Sequence, residues 1–121
     1  MSPVPHHRPE RLAALLHHTL AEALASRVKD PRVGFVTLTG VDVSADGGHA
    51  TVRVSVMGTA EEKVSAMEGL NSARGFLRSH LAHALSLRNT PELHFQLDRG
   101  LEHAQRIEQL LAQLRRDETP S

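Results

Sequence analysis

Leu12, Leu16, Leu20, Leu24 and Val28 recur every four residues between Pro9 and Lys29, and Leu15 and Ala23 widen the stripe. That recurrence predicts a helix with one buried face. Pro9 suits the first turn, where a missing N–H leaves nothing unpaired. Asp30-Pro31 supplies the stop, because proline biases its predecessor away from helical geometry. The period then shortens to two. Gly34 to Ser44 is rich in Val and Thr, a composition that suits a pleated surface. His49 to Met57 sets Ala50, Val52, Val54 and Val56 against Thr51, Arg53 and Ser55 on opposite faces. Ala45-Asp46-Gly47-Gly48 between the two runs is turn chemistry, so they read as an antiparallel hairpin.

Helical spacing returns through Val64, Met67, Leu70, Leu77, Leu81 and Ala84, with Thr59 as N-cap and Glu61 and Glu62 in the first turn. Gly69 and Gly75 interrupt this run, each at about 1 kcal/mol relative to alanine, which predicts two helices meeting near Gly75. After the loop Arg88-Asn89-Thr90-Pro91, Leu93, Phe95 and Leu97 alternate with His94 and Gln96 as a third strand. A last helix from about Leu101 to Arg115 would turn Ala104, Ile107, Leu110, Leu111 and Leu114 inward, onto the sheet. The predicted order is α-β-β-α-α-β-α. The helical crossover should return the third strand parallel to one of the first two. A three-stranded sheet with helices on one face is the economical packing.

Composition narrows the chemistry. With 121 residues, 40% of them hydrophobic and 23% charged, the chain can hold one core. We expect a single domain over 9–116, a flexible N-terminus at 1–8 and a frayed tail at 117–121. There is no cysteine, which excludes disulfides, thiolate metal sites and thiol catalysis. Trp and Tyr are missing and Phe occurs three times, so any stacking on bases falls to Arg, His or Phe. No apolar run resembles a secretion signal or a membrane span, and a soluble cytoplasmic protein is expected.

The 14 basic and 14 acidic side chains cancel, but their distribution does not. Residues 70–91 carry Arg74, Arg78 and Arg88 with no acid. Small residues at Ala73 and Gly75 would let another backbone approach the helix joint. Free N–H groups at the start of the next helix would suit a phosphate, and arginine supplies a planar fork of donors. The plainer account is a kinked helix with two solvated arginines. A second cluster, Arg27-Val28-Lys29-Asp30-Pro31-Arg32, reads more simply as cations at a helix end. His80 and His83 lie one turn apart, with pairs at His6-His7 and His17-His18. No carboxylate lies near His80, so no metal site and no cofactor is expected. Nor is there a phosphate loop, a nucleophile elbow or a carboxylate pair, and no enzyme is expected.

Four blocks resemble the bacterial ribosome-binding factor A family, in order and nearly throughout the chain. They are Arg8-Pro9-Glu10-Arg11, Val28-Lys29-Asp30-Pro31-Arg32-Val33-Gly34, Ala73-Arg74-Gly75-Phe76-Leu77-Arg78 and Leu87-Arg88-Asn89-Thr90-Pro91-Glu92-Leu93-His94-Phe95, followed by Asp98 and Arg106-Ile107. The resemblance implies an α+β, type II KH-like domain, with an Ala-x-Gly kink at Ala73-Arg74-Gly75 in place of a Gly-x-x-Gly loop. It implies a non-enzymatic assembly factor that binds the free small ribosomal subunit, assists late maturation and 5′-end processing of its rRNA, and supports growth in the cold. Assembly GTPases would act in the same pathway, and the protein would be a monomer. Arg53, Leu97 and Gly100 depart from the family's usual aromatics and serine. The expected RNA contacts are Arg74, Arg78, Arg88, Lys29 and Arg32, with Asn71, Ala73 and Gly75 beside them. They would hold phosphate and sugar without reading sequence. The alternative is a protein–protein adaptor acting through the C-terminal helix.

Overall fold

A computed structural model of the chain describes residues 8–118, with side chains for 9–100 and 106–116. The expected flexible segment at 1–8, apart from Arg8, lies outside the described residues, as do 119–121 of the expected frayed tail.

Helix α1 runs Arg8–Ser26 and buries Leu16, Leu20 and Ala23 completely, as its four-residue spacing predicts. It stops three residues before Lys29. The N–H groups of Arg27 and Val28 both reach back to the Ala23 carbonyl, at 2.7 and 3.0 Å. Asp30 is extended (φ −102°, ψ 117°), the conformation that a following proline imposes, and its side chain caps a single 3-10 turn at Pro31–Val33. Val33 enters the core.

Strands β1 (Val36–Val43) and β2 (His49–Val56) form the expected antiparallel hairpin. At its turn the Asp46 carboxylate accepts from Ser44 Oγ at 2.6 Å and from the Gly48 N–H at 2.9 Å. Gly47 takes φ +75°, which glycine adopts freely. The Ser44 hydroxyl, then the Gly48 N–H, hold the Asp46 carboxyl below its usual range. Alternation in β2 is as predicted: Ala50, Val52, Val54 and Val56 are buried, while Thr51, Arg53 and Ser55 face outward. The register slips between Leu38 and Gly40 in β1, a bulge. Across it the Arg53 guanidinium lies over Gly40 and pairs with Asp42. Strand β3 (Glu92–Leu97) runs parallel to β2 on the far side from β1, giving the order β1-β2-β3. The parallel return of the third strand is thus borne out.

The crossover departs from expectation. One unbroken helix, α2 (Ala60–Ala84), occupies the stretch predicted to hold two helices. Thr59 and Glu62 close a reciprocal capping box at its start, at 3.0 and 3.1 Å. Ala66, Gly69, Leu70, Leu77 and Leu81 are buried along one stripe. Leu70 and Leu77 are seven residues apart, two helical turns, so the buried stripe keeps its phase straight through Gly75. Packing on both sides of that glycine outweighs its intrinsic penalty of about 1 kcal/mol. The observed order is therefore α-β-β-α-β-α. Ala73-Arg74-Gly75 lies within a helix and not at a joint, so no unpaired N–H groups are available there for a phosphate.

Helices α1 and α2 cover the same apolar face of the sheet. The opposite face presents His49, Thr51, Arg53, Glu92, His94 and Gln96. Helix α3 (Gly100–Glu118) overturns a second expectation. Ile107, Leu110, Leu111 and Leu114 are 44–56% exposed and none joins the core. The reason is physical: the apolar face already carries two helices, and the free face is polar. Ala104 lies outside the described side chains. The first turn of α3 is tied to the sheet by Asp98, which accepts from Thr39 Oγ1 at 2.8 Å and from the Gly100 N–H at 2.9 Å. The Gly100 N–H, then Thr39, hold the Asp98 carboxyl low. No helix among the described residues is long and apolar enough to cross a membrane.

Candidate nucleic-acid interface

The second half of α2 and the loop after it build one open groove. Gly75, Arg78, Ser79 and Ala82 form one bank, and Arg88, Asn89 and Thr90 form the other, with Gly48, His49 and Glu92 at the sheet end. The local backbone makes the fold-back. Ser86 adopts φ 52° just past α2, and the Leu87 N–H returns to the Ala82 carbonyl at 3.0 Å. The chain therefore reverses and lays Arg88 beside the helix it has just left. Pro91, fully buried, anchors the loop at the start of β3, and Arg78 Nη2 donates to the Thr90 carbonyl at 2.9 Å. Arg78 thus both lines the groove and holds its far bank in place.

Arg74 lies one turn before Arg78, about 40° round the helix axis, and its Nη2 donates to Asn71 Oδ1 at 3.0 Å. Both residues are exposed. Ala73 turns the other way and packs against the core. Gly75 is bare: a Cβ built there meets nothing within 4 Å. None of Arg74, Arg78 and Arg88 makes an ion pair among the described residues. Each presents its charge to solvent.

Lys29 and Arg32 do not join this group. Arg32 packs against Gly69, which lies about 180° around α2 from Arg78. Its guanidinium is held by Asp30, with Nη2 to Oδ2 at 2.7 Å and Nε to both carboxylate oxygens at 3.0 and 3.1 Å. That hydrogen bonding is the main reason Asp30 sits below the usual carboxylate range and Arg32 above its own. Lys29 is exposed beside it. Of the five cations expected to act together, Arg74, Arg78 and Arg88 lie on one side of α2 without a carboxylate partner among the described residues, while Arg32 lies on the opposite side, held by Asp30.

The helical histidines do not converge. His83 Nδ1 is 2.9 Å from the Ser79 carbonyl, and His80 stacks on Phe76 with ring centroids 6.2 Å apart. A different set does. His49 at the start of β2, with Glu92 and His94 at the start of β3, comes together on the polar face of the sheet. Residues so far apart in the chain gave no joint signal. The one legible clue was the strand alternation that puts Glu92 and His94 on the same face.

Comparison with known proteins agrees with this architecture. A family model described as "Ribosome-binding factor A" matches residues 8–111. The chain is 44% identical to ribosome-binding factor A of Thermomicrobium roseum over 114 residues, covering 94% of this chain and 88% of that one. It is also similar to the crystal structure of ribosome-binding factor A from Thermus thermophilus, with a TM-score of 0.68, 30% identity, and coverage of 76% and 97% of the two chains. A homology model of the Thermus thermophilus protein, fitted into a cryo-EM map of its complex with the 30S subunit, gives a TM-score of 0.61 and 31% identity, covering 71% and 90%. The α+β fold described above is the KH-like fold of these structures.

Proposed function

The chain belongs to the ribosome-binding factor A family, and from that premise we propose that it binds the free small ribosomal subunit and assists its assembly. In this reading the protein acts late, aids 5′-end processing of small-subunit rRNA and supports growth in the cold. It works as a cytoplasmic, non-enzymatic monomer, and assembly GTPases promote its release. The relative from Thermus thermophilus, fitted into a 30S complex, supports the partner. Family membership supports the rest.

One observation carries the site. Gly75 leaves a bare strip of helix beside Arg78 and Arg88, within a stretch, 69–91, that contains no acid. Nothing in the fold requires glycine there, and alanine would make a better helix by about 1 kcal/mol. A ligand backbone that approaches closely is what a missing Cβ accommodates. The flanking guanidinium groups then hold phosphates in place, giving position without base readout. Asn71 and Arg74 extend the same flank by a turn, while Lys29 and Arg32 supply a separate contact on the other.

The test replaces Arg74 and Arg88 with Ala together and leaves Arg78, which also holds the loop. Sedimentation with isolated small subunits should show weaker binding. The log-affinity against log-salt slope should become shallower by about one unit for each phosphate no longer neutralised. Unchanged affinity and slope, with the fold intact by circular dichroism, would refute the assignment. The exposed leucines of α3 favour a second reading, an adaptor that docks another assembly protein. Ending the chain after Arg99 should then abolish capture of that partner and spare RNA binding; retained capture rejects it.

A further inference from the structure

Two histidines and a glutamate aim at one point on the polar face of the sheet. His49 opens β2 and is paired in register with Glu92, the first residue of β3; Thr51 is paired with His94. Alternate residues of a strand share a face, so Glu92 and His94 project together and His49 meets them from the neighbouring strand. His49 Nδ1 lies 3.0 Å from His94 Nε2, and the same two nitrogens lie 3.7 and 3.9 Å from Glu92 Oε2.

These three distances define a triangle whose corners lie on a circle of about 2.1 Å radius, the length of a zinc–imidazole or zinc–carboxylate bond. A single ion can therefore reach all three atoms with almost no movement of the side chains. A simple hydrogen bond between the two rings would account for the shortest distance but not for the common approach of the carboxylate. Two imidazole nitrogens and one carboxylate oxygen suit the borderline metals, zinc, cobalt, nickel and copper. Magnesium and calcium prefer all-oxygen shells. All three residues are exposed, so the remaining coordination positions open to water.

We propose that His49, Glu92 and His94 form a divalent transition-metal site with at least one exchangeable position. The site stands apart from the arginine flank, although His49 and Glu92 border its groove. A bound dication there would offset the one carboxylate that faces the groove.

The experiment titrates the full-length protein with Co²⁺, followed by visible absorption, and with Zn²⁺, followed by calorimetry, in the absence of RNA. Wild type should take up one equivalent at this site. His49→Gln with His94→Gln should remove that equivalent, and Glu92→Gln should weaken it. His17→Gln with His18→Gln should leave it unchanged. His18, His49, Glu92 and His94 are exposed and His17 is half-buried, and circular dichroism checks that each variant is folded. The proposal is overturned if wild type binds neither metal. It is equally overturned if uptake survives in the His49/His94 variant, or if both pairs of substitutions reduce it alike. No arm contains RNA, so failure here is distinguishable from failure of the ribosomal reading.

Discussion

Gly69 and Gly75 lie within one helix, yet they serve opposite purposes. At Gly69 a Cβ would stand 3.0 Å from Val33 Cγ1 and 3.1 Å from Arg32 Cβ, closer than ordinary packing allows. The missing side chain lets the 3-10 turn at Pro31–Val33 lie directly on α2 and carry Val33 into the core. At Gly75 the same missing side chain faces open space. One glycine is consumed by the fold. The other weakens the helix and gives nothing back to packing, so its use is sought outside the chain. A glycine in a helical pattern is a single letter in the sequence, and only its neighbours in space distinguish these cases.

The sharpest way to break the contrast is to place the same bulk at both positions. Gly69→Leu should lower stability by about 1–3 kcal/mol or more, since the added side chain displaces Val33 or pushes the turn off the helix. Gly75→Leu should be neutral or stabilising, because leucine favours helix and its Cβ meets nothing within 4 Å. Urea unfolding of both variants decides it; equal losses would mean that the two glycines are equivalent.

A finer probe separates folding from binding at Gly75 alone. Gly75→Ala should raise stability by about 0.5–1 kcal/mol, and should also weaken binding to small subunits several-fold if a ligand backbone approaches there. Improved stability with unchanged binding would remove the reason given for the bare strip, while leaving the arginines in contention.

The same asymmetry explains what could be read from the chain. The stripes of α1 and β2 and the turn chemistry of Ser44 to Gly48 are local patterns. They were legible because each residue's neighbours are close in sequence. The continuity of α2 is also written there, in the unbroken phase of Leu70, Leu77 and Leu81, a stripe whose burial outweighs the glycine penalty. Helix α3 shows the opposite failure. Its leucines have a core-facing period, but whether a core is available depends on what already covers the sheet. At the site, Arg78 and Arg88 were identified from charge alone. Their closeness depends on the fold-back at Ser86, which no propensity signals. Arg32 and Asp30 are two residues apart, yet a run of cations at a helix end does not signal which of them a neighbouring carboxylate holds. The meeting of His49 with Glu92 and His94 required the β2–β3 register, a long-range fact.

The smallest expected effect concerns that Asp30–Arg32 pair, which fixes the cation on the Gly69 side of α2. Asn caps a helical turn about as well as Asp, so Asp30→Asn keeps the bond to the Arg32 N–H and removes only the charge pairing. Because Arg32 holds the folded carboxyl below its usual value, the pair contributes stability above the unfolded carboxyl's range. That contribution disappears as pH falls through the folded value. Asp46 and Asp98 are shifted in the same direction, but they are present in both proteins and cancel. The difference in thermal midpoint between wild type and Asp30→Asn should therefore be constant near neutrality and close as pH falls below the ordinary carboxylate range, through the lowered folded value. It should also shrink in high salt, as exposed ion pairs do. A gap that persists unchanged at the acid end would mean that Arg32 is not held by Asp30 in solution. Arg32 would then present the same unpaired guanidinium as Arg74 and Arg88, and the two flanks of α2 would be alike.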